Sequence, residues 1–221
     1  IILVEKKIPP KELVKNLLDI RIKRKKPFFD KKIQLDLNCL WISSLVAANE
    51  ILPEKKYLEQ AETYFIKIEK LFLDKGIHHS YSKNLVFLED YAFLINALLD
   101  LSNATMNFKY TNIAKKLCSE VVDKFYIKEK NIFQKNQINS QDLFFDPIEI
   151  SDNTTPNGNA MMLLNFTRLG LMDEGKNLSI SLNGYLNIYK NYMLTAIKAL
   201  DFFNSKLNGK NCDEQGCELN D

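Results

Sequence analysis

The chain has 221 residues, 46% apolar and 26% charged, enough for one large domain or part of a bigger one. Thirty Lys and Arg against 28 Asp and Glu leave a formal charge of +2, which argues against a nucleic-acid partner, because such proteins carry a strongly basic face. No apolar run approaches the roughly 20 residues of a bilayer span.

The start, Ile1-Ile2-Leu3-Val4, is too short for a signal-peptide core and lacks a basic lead. It also lacks Met, so the chain reads as a piece of a longer product. Four cysteines, Cys39, Cys118, Cys212 and Cys217, are too few for a disulfide scaffold and fit a cytoplasmic setting. Cys212 and Cys217 are spaced more widely than a CxxC redox pair. Without a second ligand pair, no metal site is expected there.

Helical periodicity dominates. Pro9-Pro10 opens a first helix, about Lys11 to Lys25, which Pro27 ends. Its basic run Arg21 to Lys26 reads as a solvated helix C-terminus, where cations suit the dipole. A second helix spans about Asn38 to Leu52. Pro53 suits the start of a third, whose stripe is Leu58, Ala61, Tyr64, Phe65, Ile68, Leu71 and Phe72. Gly76 stops it, and Ile77 to Phe87 reads as a loop with a short strand at His78 to Tyr81.

A fourth helix carries Leu88, Tyr91, Ala92, Ile95, Leu98 and Leu99 on one side. Asn107 is placed to cap a fifth, with Ile113, Ala114, Leu117, Val121, Val122 and Phe125 as its stripe. The segment Lys128 to Pro156 is long, polar and aromatic (Phe133, Phe144, Phe145), with short hairpin-like pieces expected. A loop of that length is often functional. A sixth helix begins at Asn157-Gly158-Asn159 and ends near Gly170, a left-handed stop. A seventh is read as one run from about Leu182 to Leu207. Residues 210–221 form a polar tail. Long helices joined alternately by a short and a longer connection give the rhythm of stacked helical hairpins.

Four local motifs narrow this. Arg21-x-x-Arg24-x-x-Pro27-x-x-Asp30-Lys31-Lys32-Ile33 leads into Asn38. Leu88-Glu89-Asp90-Tyr91-Ala92 opens the fourth helix. Glu149, Asp152, Pro156, Gly158 and Asn159 form a third set, and Cys212-x-x-x-x-Cys217 a fourth. In order and spacing they resemble the C-terminal region of the spermatogenesis-associated-protein-20-like, thioredoxin-domain-containing family, over about Lys11 to Cys217. The chain departs from that pattern at Lys31, Leu37, Cys39, Asn157 and Ala160. The resemblance implies an all-α fold: a partial (α/α)6 toroid, six-hairpin glycosidase-like, of about seven helices over residues 1–209. It also implies a thioredoxin-like domain as a partner within the full-length protein.

In toroids of this kind, loops at one end of the inner helices line a central cavity. That implies a carbohydrate ligand, with Glu89, Asp90 and Asp152 as catalytic carboxylates, since glycoside chemistry needs a pair with one raised pKa. Asp30, Asn38, Tyr91, Glu149 and Asn159 are the expected substrate-binding residues. The competing expectations are helix caps at Asp90, Asp152 and Asn159, and a core tyrosine at Tyr91. His78 and His79 are adjacent, point oppositely on an extended segment and match no motif, so neither is assigned a role. No cofactor motif is present. The alternative to a sugar-processing toroid is a non-catalytic module working with a thioredoxin-like domain in redox or protein quality control. A third reading is a non-functional remnant. The isolated chain, lacking half the ring, is expected to show no glycosidase turnover.

Overall fold

A computed structural model describes residues 9–74, 76–80, 85–138 and 147–209, with the backbone of 212–213 and 216–217. The chain divides into two compact units, Ile1–Lys32 and Ile33–Asp221.

The first unit contains helix α1 (Lys11–Lys23), which buries no residue. Leu13, Leu17, Leu18 and Ile22 are all exposed on it. Arg21 and Lys23 occupy its last turn, as the basic run predicts.

Among the described residues the second unit holds seven helices: α2 (Leu35–Ile51), α3 (Tyr57–Ile68), α4 (Leu88–Thr105), α5 (Phe108–Phe125), α6 (Gly158–Leu169), α7 (Met172–Tyr189) and α8 (Leu194–Leu207). They form two rows. In one, α2 packs on α4, α4 on α6 and α6 on α8. In the other, α3 backs α2, α5 backs α4, and α7 backs α6 and α8. Helices α4 and α6 therefore have neighbours nearly all round. Residues 91–99 of α4 are buried without interruption, as are residues 158–167 of α6. A single apolar stripe describes α4 poorly, because a helix enclosed on every side loses its polar face.

Local chemistry explains most boundaries. Gly170 (φ +73°) ends α6, and its N–H reaches the Phe166 and Thr167 carbonyls. Asn107 caps α5 by accepting the Lys109 N–H at 3.0 Å. Pro53 opens a 3₁₀ turn, Pro53–Lys55, rather than α3 itself. The chain turns at Lys56 (φ +56°) before α3 begins, and Asn49 Oδ1 accepts the Leu58 N–H at 3.3 Å. The expected second helix starts earlier, at Leu35, so Asn38 lies in its first turn and donates to the Gln34 carbonyl at 2.7 Å.

Among the described residues the helices number eight against the expected seven or so, because the run read as one from Leu182 to Leu207 is two. Helix α7 begins at Met172, and a 3₁₀ turn at Lys190–Tyr192 separates it from α8. Asp152 holds this break open. It donates its N–H to the Tyr192 carbonyl at 2.6 Å, and its Oδ2 accepts the Thr195 N–H at 2.8 Å. A remote carboxylate thus supplies the cap that Met193 cannot.

Two-residue strands β1 (Tyr126–Ile127) and β2 (Ile132–Phe133) form a hairpin after α5, turning at Asn131 (φ +52°). Strands β3 (Cys212–Asp213) and β4 (Gly216–Cys217) pair near the C-terminus, with Cys212 opposite Cys217 in the backbone register. The side chains of Cys212 and Cys217 lie outside the described residues, as do Phe144, Phe145 and Tyr81.

Candidate functional site

The N-termini of α2, α4, α6 and α8 meet at one end of the second unit, where a cleft of about 310 Å³ opens. Asp36 is the second residue of α2, Glu89 the second of α4, and Asn157 the cap of α6. All three line it, together with His79, Phe87, Lys135, Glu149 and the loop residues Ser151, Asn153, Thr154 and Thr155.

Glu89 is the group this environment strains most. Its Oε2 is buried and has no hydrogen-bond partner among the described residues. Burial pushes its carboxyl up from 4.5 to about 7, with Glu149 and Asp90 adding repulsion and Lys135 opposing them. A carboxyl so placed is part protonated and part ionised near neutrality, which suits a proton-transfer group.

Beside it, His79 is clamped by its backbone and its ring. Its carbonyl accepts the Leu35 N–H at 2.9 Å, and its N–H donates to the Leu85 carbonyl at 2.6 Å. The ring Nδ1 lies 3.0 Å from Asp90 Oδ1, and Nε2 lies 2.9 Å from the Gln34 side-chain nitrogen. These partners favour the tautomer in which Nδ1–H donates to Asp90 and Nε2 accepts from Gln34. The Asp90 hydrogen bond raises the His79 pKa, with burial opposing it.

Asp36 Oδ1, 3.9 Å from His79 Nδ1, completes a group of three donors lying within 4.8 Å of one another. That spacing suits a divalent cation, but His79 and Asp90 already share a hydrogen and Asp36 Oδ1 accepts the Leu37 N–H at 2.7 Å. His79 and Asp90 form a hydrogen-bonded pair, with Asp36 beside it beyond hydrogen-bond distance.

The expected site residues divide by what they touch. Glu89 and Glu149 line the cleft, and Glu149 pairs with Lys135 Nζ at 2.7 Å. Asp90 lies beneath it, fully buried, with Oδ2 accepting the Phe87 N–H at 2.9 Å as half of a capping box. Asp152 uses Oδ1 on the Asn157 N–H and Oδ2 on the Thr195 N–H, each at 2.8 Å. Asn159, buried, ties Phe133 by both its N–H (2.9 Å) and its carbonyl (3.0 Å). The Tyr91 ring is buried in the core, and its hydroxyl meets Lys124 at 2.7 Å and Glu120 at 3.2 Å. Asn38 is held to Gln34. Asp30 belongs to the first unit, where it is exposed and paired with Lys32 at 3.2 Å.

Asp36, His79 and Lys135 were not assigned from the sequence. For His79 a signal existed: adjacent histidines on extended chain face opposite ways. His78 turns to the Gly76 carbonyl and the Phe72 ring, and His79 to Asp90. Cys39 and Cys118 are buried, and burial pushes the Cys118 thiol up to about 12, which leaves it unreactive.

No family model matches the chain. An uncharacterized protein of Caenorhabditis elegans, B0495.5, is 28% identical over 166 residues, covering 69% of this chain and 22% of that protein. The chain thus spans about a fifth of that relative's length. Among solved structures, a cellobiose 2-epimerase from Bacillus thermoamylovorans superposes with a TM-score of 0.57 at 16% identity, over 84% of this chain and 58% of the enzyme. A glycoside hydrolase family 76 mannosidase from Bacteroides thetaiotaomicron gives 0.53 at 17%, over 69% and 44%. No described helix is long and apolar enough to cross a membrane. The chain has the hairpin architecture of the (α/α)6 toroid, glycosidase-like fold.

Proposed function

We propose that the cleft at the helix N-termini binds a neutral sugar and that Glu89 transfers protons to and from it, in the manner of an epimerase. The observation that carries this is the Glu89 carboxyl, walled into the cleft with one oxygen unpartnered and a pKa of about 7. Around it, hydroxyl and amide groups of Ser151, Asn153, Thr154 and Thr155 suit sugar hydroxyls. The sugar-processing neighbours, an epimerase and a mannosidase, support a carbohydrate ligand.

Epimerisation is favoured over hydrolysis because the other carboxylates near Glu89 are engaged: Glu149 with Lys135, Asp90 with His79 and the Phe87 N–H, and Asp36 with the Leu37 N–H. Hydrolysis needs a free one facing the acid. Glu89 takes the proton beside the sugar carbonyl to leave a planar enediol, and inversion follows when that enediol turns its other face to the carboxyl before the proton is returned. We also propose a thioredoxin-like domain as a partner of this module, in a cytoplasmic setting.

The test is saturation-transfer NMR with neutral mono- and disaccharides, followed by deuterium wash-in at C2 of a bound reducing sugar. Binding with wash-in that Glu89→Gln abolishes is the expected result. Binding without wash-in reduces the module to a sugar-binding one. Release of an aryl leaving group from a glycoside would make it a hydrolase, and no binding at all overturns the proposal.

A further inference from the structure

Glu89 packs against a residue that has no side chain. Gly158 is the first residue of α6, and it is not among the glycines with left-handed φ. Its backbone would accept any residue, and alanine is the better helix former. What opposes a side chain there is space. A Cβ built at 158 would lie 3.0 Å from Glu89 Oε1 and 3.0 Å from Leu88 Cδ2 and Cγ, inside ordinary contact distance. The flanking residues are fixed by other duties. Asn157 caps α6 at the Ala160 N–H, and Asn159 holds Phe133.

We infer that Gly158 is a positioning residue for Glu89: its bare backbone lets the first turn of α6 close onto the carboxyl and hold it in the cleft wall. The inference rests on the reading of Glu89 as the working group for its functional consequence, but not for its geometry. A side chain at 158 would push the carboxyl outward, toward water, where it ionises as an ordinary glutamate.

The experiment is a carbon-13 NMR titration of the Glu89 carboxyl in the whole chain, assigned by its loss in Glu89→Gln. In Gly158→Ala the midpoint is expected to fall by about one unit, tenfold in proton affinity. Gly175→Ala is the control. Its Cβ would lie 2.7 Å from Phe203 Cε2, so it should lower the thermal midpoint and leave the Glu89 titration where it was.

An unchanged Glu89 midpoint in folded Gly158→Ala, or an equal shift in Gly175→Ala, overturns the inference. Should Gly158→Ala not fold, the double variant Glu89→Ala/Gly158→Ala decides. Recovery of folding supports the collision with the carboxyl; recovery only in Leu88→Ala/Gly158→Ala, or in neither double variant, places the collision elsewhere and overturns the inference. No sugar enters these measurements, so a failed sugar-binding assay leaves their outcome separate.

Discussion

Helices α4 and α6 carry a polar cluster toward each end, and the two clusters differ in how completely they are paired. Toward the C-terminal ends, Arg168 meets Asp100 at 2.8 Å and Asn96 at 2.9 Å, and Asn96 in turn donates to Ser43. A cavity of about 540 Å³ lies there, larger than the cleft at Glu89. Toward the N-terminal ends, Glu89 leaves an oxygen without a donor and titrates near neutrality. Volume alone would select the opposite end from the proposed site. A buried ion pair satisfied on both sides does structural work, whereas a desolvated carboxyl left unpaired is a cost that a ligand can relieve. Asn165 Oδ1 also lacks a partner, but it lines neither cavity.

The strongest attempt to break this contrast is Asp100→Ala. It removes the carboxylate from a nearly buried guanidinium and should destabilise the fold by about 3–5 kcal/mol in urea unfolding, with sugar affinity of the folded fraction unchanged. Glu89→Gln should behave oppositely. The native carboxyl binds its proton more tightly than the unfolded one, so parent stability is full below pH 4.5 and falls as pH rises toward about 7. Glutamine escapes that loss. At pH 8 the variant should be the more stable by about 2 kcal/mol, with the gap closing below pH 4. Equal stability at pH 8 would erase the distinction between the two ends.

Asp152→Ala removes the acceptor of two backbone N–H groups and should lose about 1–2 kcal/mol, with faster amide exchange at Asn157 and Thr195. The smallest effect sharpens the electrostatics. Lys135→Met removes the cation that holds the Glu89 pKa down, so the titration midpoint should rise by a few tenths of a unit.

Where a residue's own chemistry decides, the sequence was readable. Gly76 follows the π-helical extension of α3, Glu69–Leu73, and Gly170 ends α6, each with left-handed φ, and Asn107 caps α5 through its own side chain. Where a distant group decides, it was not. Between Tyr189 and Met193 Asn191 is the one weak stop signal, and the division of α7 from α8 is held by Asp152. The start of α7 is masked by Gly175, which the Phe203 ring requires. At the cleft, Glu89 was visible as a carboxylate at a loop–helix junction. Asp36 and Lys135 carry no local mark, because their meaning arises only when α2, α4 and the segment after the β1–β2 hairpin converge.

Asn159 offers one further handle. Its side-chain amide meets Phe133 as a neighbouring peptide group would, taking its N–H and giving to its carbonyl. A two-residue ribbon so stapled from a helix should exchange its Phe133 amide proton far more slowly than its length suggests. That proton becomes a reporter of whether the wall behind the cleft ever comes apart in the native molecule.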